Sequence, residues 1–133
     1  MDTSAWYAAA DRGDASNAAA KAVLSTGDAL VTTDHVLVET WLLIRHRLGV
    51  EPARRFWNGM RNGVGRVELV TSADIEAAWS IGEAFPDQDF SIVDRTSFAV
   101  MERLGLVRVA SFDDDFAIYR FGLRRERAFE VVR

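Results

Sequence analysis

Runs of apolar residues at helical spacing alternate along the chain with short β-branched runs, and glycine or proline marks most of the changes. Residues 4 to 11 and 14 to 26 are alanine-rich with helical spacing, and Gly13 and Gly27 supply the stops. Ala29 to Thr32 reads as a short strand. Residues 34 to 49 predict a strong helix, apolar almost all round between Val36 and Ile44 and ended by Gly49. An amphipathic helix with Pro52 near its start follows over 51–62. Val67 to Val70 reads as a strand, Thr71 to Asp74 opens a helix with a capping-box pattern, and Phe85-Pro86 stops it. Ser91 to Gly105 predicts a helix, Leu106 to Ala110 a strand, Asp113 to Gly122 a turn and helix, and Ala128 to Val132 a last strand. Short strands alternating with longer helices predict βαβ units and a parallel, doubly wound sheet. In such sheets ligands gather at the carboxyl ends of the strands.

A chain of 133 residues, 49% hydrophobic and with two prolines, is expected to form one domain over 1–133 without a disordered linker. No apolar run reaches the roughly 20 residues that span a bilayer, and Met1-Asp2-Thr3-Ser4 lacks the basic and apolar regions of a signal peptide. The expectation is a cytoplasmic chain with no membrane partner. The lack of cysteine removes thiolate catalysis, disulfides and every Cys-based zinc site. The two histidines, His35 and His46, fall on one helix about 16 Å apart, too far to share a metal. What remains for chemistry is oxygen: twelve Asp, eight Glu and the hydroxyls. Charge is segregated, with a net of +5 over residues 45–66, −7 over 72–115 and +3 from 116 onward. An acidic section between basic ones suggests a cation site beside a phosphate-tolerant surface; solvated helix faces would give the same pattern.

Four acids fall at the expected carboxyl edge. Asp2 precedes the first helix and Asp113 follows the strand 106–110, while Asp94 sits in the first turn of its helix and Glu39 in the second turn of the helix after Thr32, and helix starts that follow strands lie on that edge. Converging carboxylates repel one another, and a hard divalent cation such as Mg²⁺ offsets that repulsion. Each acid also has a structural alternative. Asp94 completes the capping box Ser91-Ile92-Val93-Asp94, any of Asp113, Asp114 and Asp115 could cap the next helix, and Asp2 could cap the first. Glu39 stands among Val36, Leu37, Val38, Trp41, Leu42, Leu43 and Ile44, on a helix that reads as too apolar for the surface, where a carboxylate is costly unless paired. His35, one turn earlier, is its alternative partner.

Asp2-Thr3-Ser4-Ala5-Trp6, Glu39 in its apolar helix, Asp89-Phe90-Ser91-Ile92-Val93-Asp94 before a helix, and Ser111-Phe112-Asp113-Asp114-Asp115-Phe116 after a strand together resemble the PIN domain. Within it they look most like the VapC-type toxins of bacterial toxin–antitoxin pairs, and the resemblance runs over essentially the whole chain. It implies a three-layer α/β/α, Rossmann-like fold with a four- to five-stranded parallel sheet, and a Mg²⁺- or Mn²⁺-dependent endoribonuclease acting on tRNA or rRNA. The family's acidic tetrad, both catalytic and metal-holding, maps onto Asp2, Glu39, Asp94 and Asp113. Asp115 is a fifth candidate, Asp89 and Asp114 look peripheral, and Thr3 or Ser4 would orient the first carboxylate.

The resemblance also implies a cognate antitoxin, and a homodimer is expected. The alanine-rich helices with Trp6 and Tyr7, and the helix carrying Phe56, Trp57 and Met60, offer apolar surface for both, although these aromatics could equally be core. The Arg45 to Arg66 stretch would hold the RNA backbone. One departure stands out: only Met1 precedes the first Asp, where the family has several apolar residues forming a central strand. Either that strand is a stub or the start lies upstream. The alternatives in function are a non-catalytic PIN-like module that binds RNA or a partner, and a PIN nuclease of RNA maturation. A haloacid dehalogenase-type phosphatase is disfavoured, because Asp113-Asp114-Asp115-Phe116-Ala117 does not continue as that fold's motif does.

Overall fold

Capping chemistry sets most of the helix starts, and the computed structural model, which describes residues 1–133, shows how. The chain runs α1 (Thr3–Ala10), α2 (Asn17–Leu24), β1 (Val31–Thr33), α3 (Asp34–Arg47), α4 (Val50–Arg61), β2 (Arg66–Glu68), α5 (Ser72–Ala84), α6 (Ile92–Leu104), β3 (Arg108–Ala110), α7 (Asp115–Ile118) and β4 (Glu130–Val132). The Asp2 carboxylate accepts from the Ser4 N–H, and the Thr33 hydroxyl accepts from the Val36 N–H. Reciprocal capping boxes, Thr71 with Asp74 and Ser91 with Asp94, open α5 and α6. Gly105, at φ 66°, ends α6 in the left-handed conformation that a side chain would disfavour. No helix is long and apolar enough to cross a membrane.

All four strands are parallel, as the alternation predicts, but they form two ladders instead of one continuous sheet. β1 pairs with β2, Val31 opposite Arg66 and Thr33 opposite Glu68; β3 pairs with β4, Arg108 opposite Glu130 and Ala110 opposite Val132. Between the ladders lies only the stub of Met1 and Asp2. The Met1 amine donates to the Val31 carbonyl at 2.6 Å, and the Asp2 N–H donates to the Ala110 carbonyl at 3.0 Å. Met1 and Asp2 therefore bond to one ladder each, as a short bridge between the two. Burial holds the Met1 ammonium down to about 6, with the Asp2 charge opposing.

Two apolar clusters hold the helices to the ladders. The larger joins Phe90, Phe98, Phe116, Tyr119, Phe121 and Phe129, and the Phe98 and Tyr119 rings stack with centroids 4.2 Å apart. The smaller is Trp6, Val36 and Met60. Trp6 and Met60 are thus core and not partner surface, Phe56 packs edge-on against Trp6, and Trp57 stays 41% exposed. A second correction concerns α3. It buries Val36, Thr40 and Ile44 but leaves Val38 and Leu42 more than half exposed, so it is a surface helix despite its composition.

Arg103 of α6 donates to both oxygens of Asp74, which is 3% exposed, and to Glu68 at the end of β2. One buried carboxylate therefore closes a helix cap and anchors α6 to α5. Asp74→Ala is expected to cost about 2 kcal/mol in urea unfolding, from the lost cap and the lost charge-assisted bonds. A cost below about 0.5 kcal/mol would contradict this anchoring role.

Candidate active site

Asp2 is the most firmly held acid at the carboxyl edge, and hydroxyls hold it, not cations. It is 3% exposed, and its Oδ2 accepts from the Ser4 hydroxyl at 2.8 Å and the Ser111 hydroxyl at 3.1 Å. Ser4 and Ser111 lie 3.2 Å apart, and the Phe112 N–H donates to Ser4 Oγ at 2.9 Å. The start of α1 is thereby tied to the loop after β3. Ser111, fully buried, is the supporting residue that motif reading did not single out. Its signal in the sequence is a small hydroxyl at the end of a strand, two residues before an acid, which is too common to stand out.

The other acids arrive from separate elements. Asp94, 8% exposed at the third position of α6, accepts from the Ser91 N–H at 2.8 Å, so the capping reading describes one of its oxygens without excluding another role. Asp113 lies in the loop after β3 and accepts from the Asp115 N–H at 3.2 Å; Asp115 opens α7. Glu39, half-buried on α3, does not pair with His35, whose Nδ1 instead lies 3.2 Å from the Thr96 hydroxyl. Asp114 is exposed and paired with Arg133, and Asp89 reaches the cluster only through its charge on Asp115.

The charges report the convergence. Burial, then the charges of Asp2 and Asp94, push the Asp113 carboxyl up to about 7, against a single opposing bond from the Asp115 N–H. Asp115 is pushed up to about 6 by burial first and then by Asp94, with which its neutral form can share a proton. Glu39 is raised by burial and by Asp94 and Asp2, while the nearby Thr3 hydroxyl opposes the rise. That hydroxyl is buried and makes no hydrogen bond of good geometry, so its pull on Glu39 is proximity more than bonding. The two candidate hydroxyls thus divide: Ser4 serves Asp2, and Thr3 faces Glu39.

None of these five acids enters any ion pair in the molecule. Like-charged carboxyls driven up by burial and by mutual repulsion, with an unpartnered buried hydroxyl beside them and only oxygen donors, fit a hard divalent cation. No three acidic or histidine side chains are closed into an ion shell. Such a cation keeps several waters and needs few protein ligands, so the open arrangement agrees with that chemistry. A cavity of about 370 Å³ nearby is lined by Asp2 but not by Glu39, Asp94, Asp113 or Asp115, and belongs to the gap between the ladders.

Comparison with known proteins follows the same lines. The PIN-domain family profile matches residues 1–122. The chain is 38% identical over 122 residues to the "23S rRNA-specific endonuclease VapC20" of Mycobacterium tuberculosis, covering 91% of this chain and 93% of the relative. It is 27% identical over 114 residues to "Ribonuclease VapC26" of the same organism, covering 85% and 84%. The crystal structure of Mycobacterium tuberculosis VapC20, described as a "Sarcin-Ricin loop cleaving toxin", superimposes with a TM-score of 0.81, covering 87% of this chain and 90% of that one.

The raised carboxyls set a pH dependence. Asp113 and Asp115 keep protons that an unfolded chain loses near pH 4, so their contribution to stability is complete below that and lost as pH rises through about 6 to 7. Thermal melts of the metal-free protein should therefore weaken across that window. Mg²⁺ should raise the midpoint more at about pH 8 than at about pH 5.5, where protons compete for the same oxygens. An equal shift at both pH values would contradict the account.

Proposed function

The chain belongs to the PIN-domain family, and we propose that within it the protein is a VapC-type toxin, an endoribonuclease that hydrolyses phosphodiester bonds in RNA. What supports this reading is the mutual charge influence of Asp2, Glu39, Asp94 and Asp113, none of which enters a side-chain ion pair. We take the domain to span 1–133, since β4, beyond the matched residues, completes a ladder with β3.

PIN-domain nucleases of the VapC kind depend on a divalent metal, and here it is Mg²⁺ or Mn²⁺. Asp2, Asp94, Glu39 and Asp113 would hold it, with Asp115 in support. When bound, the ion supplies positive charge for a phosphate transition state and for activation of water. The residues do the rest. Ser4 and Ser111 fix the Asp2 carboxylate, and the Ser91 cap fixes Asp94, so neither must reorganise when the phosphate arrives. Asp113, raised to about 7, can take up or give up a proton at its carboxyl near neutrality. Attack by water needs no 2′-hydroxyl, so the products carry 5′-phosphate and 3′-hydroxyl ends.

All six arginines between Arg45 and Arg66 are exposed, and only Arg54 and Arg66 pair with acids, which leaves a basic surface for the RNA backbone. The residues leave tRNA and rRNA open; the likeness to a 23S rRNA-specific relative supports rRNA. A groove of about 330 Å³ among α1, α2 and α4, lined by Ala10, Leu24, Pro52, Phe56 and Val64, suits an antitoxin helix. The exposed Val38 and Leu42 on α3 suit a second copy of the chain.

Incubation with 23S rRNA and with total tRNA, with Mg²⁺ or with EDTA, tests the reading. Asp94→Asn keeps the capping acceptor but removes the charge, so it should fold normally and lose cleavage by about 100-fold or more. Full cleavage by Asp94→Asn, or cleavage that survives EDTA, would overturn the assignment.

A further inference from the structure

The net +3 from residue 116 onward belongs neither to the acid cluster nor to the Arg45 to Arg66 surface. Part of it reaches the last turn of α5, where it stands beside an arginine of α6. That arginine is Arg95, which follows Asp94 in the first turn of α6. Its guanidinium lies against Gly82 of α5: a Cβ at position 82 would stand 2.2 Å from Arg95 Nη1 and 2.8 Å from its Cζ. Gly82 sits inside a helix and has no positive φ, so no turn requires it, and alanine would favour the helix more. The room it leaves for Arg95 accounts for it. Arg95 Nε is buried there without a hydrogen-bond partner.

The second arginine is Arg125, the one non-glycine residue with a positive φ, 53°. An L side chain adopts that conformation only where its surroundings impose it. Here a hairpin imposes it. Phe121 and Arg127 exchange main-chain bonds of 3.0 and 3.1 Å, and the Phe121 and Phe129 rings, 4.6 Å apart, root the hairpin in the larger core cluster. Arg125 reaches back to α5, where its Cζ lies 4.9 Å from the Phe85 ring centre and its Nη1 donates to the Ala84 carbonyl at 3.4 Å. A cap on α5 explains that one donor, but neither the left-handed turn nor Arg95. Gly82, Ala84 and Phe85 lie within one helical turn, so both guanidiniums serve the same short stretch. Glu83, Asp87 and Asp89 belong to the same part of the chain, yet none of them pairs with either arginine.

Resting on the endoribonuclease reading, we infer that Arg95 and Arg125 form a phosphate-binding pair over the last turn of α5, which holds the RNA backbone where it passes Asp94. A guanidinium presents forked donors that match phosphate oxygens, and laying its face on an aromatic ring leaves that edge open. Successive helix residues diverge by about 100°, so Arg95 turns toward α5 while Asp94 serves the acid cluster. A strand with one phosphate at the acids therefore meets positive charge at the next step without any guanidinium entering the cluster.

Fluorescence anisotropy with a labelled oligouridine of about 20 nucleotides, in EDTA to prevent cleavage, tests the pair across about 50–300 mM NaCl. Arg95→Gln and Arg125→Gln should each weaken binding about tenfold and lower the salt slope of log K by about 0.7, the share of one phosphate on a single strand. Gly82→Ala should weaken binding likewise, by displacing the Arg95 guanidinium, while its thermal midpoint stays at or above the parent's. Parent-like affinity and slope in Arg95→Gln and Gly82→Ala would overturn the pair. So would lost affinity with an unchanged slope, which marks a purely structural effect. If the parent neither binds this RNA nor cleaves 23S rRNA with Mg²⁺, the endoribonuclease reading fails and the pair with it. If the parent cleaves while the variants bind as it does, the pair alone fails.

Discussion

Like charge held together without counter-charge is the constraint on which this molecule depends. Asp2, Asp94, Asp113, Asp115 and Glu39 come from five separate elements, and their fields overlap. Serine hydroxyls and backbone N–H groups fix the nearest of them; no arginine does. A guanidinium at this edge would neutralise the site and make a cation redundant. The protein instead pairs an arginine with a buried carboxylate elsewhere, at Arg103 and Asp74, where anchoring is the task. The same ion-pair chemistry is used where it stabilises and left out where it would close the site.

The caps carry a double role. Ser91 with Asp94 and Asp2 with Ser4 start helices, and each cap also sets the direction of a carboxylate toward the shared edge. Ser111 extends this logic across the fold, since its hydroxyl joins the β3 loop to Asp2 over 109 residues of sequence. Asp113 and Asp115, by contrast, sit on a loop and a four-residue helix, and they are the acids that burial and then repulsion raise furthest.

Much of this was legible in the sequence, because the signals are local. The capping boxes at Thr71 and Ser91, the stop at Gly105 and the order of strands and helices depend on residues within one turn of each other. What was not legible depends on distant partners. The apolar run of α3 reads as buried on all sides, yet its neighbours are α1, α4, α6 and the first ladder, and Val38 and Leu42 stay more than half exposed. Trp6 reads as apolar surface for a partner until Thr32, Phe56 and Met60 close around it. His35 lies one turn from Glu39 but finds Thr96, which belongs to α6. The single sheet expected from the alternation appears as two ladders, with Met1 bonded to one and Asp2 to the other.

If repulsion among buried carboxyls is what a divalent cation relieves, binding must expel the protons that repulsion retains. Titration calorimetry with Mg²⁺ or Mn²⁺ in buffers of different ionisation enthalpy counts those protons directly. With Asp113 at about 7 and Asp115 at about 6, binding near pH 6.5 should release about one proton, and release should fade toward about pH 8.5. Binding that releases no protons near pH 6.5, or that is as tight in Asp113→Asn as in the parent chain, would contradict the account.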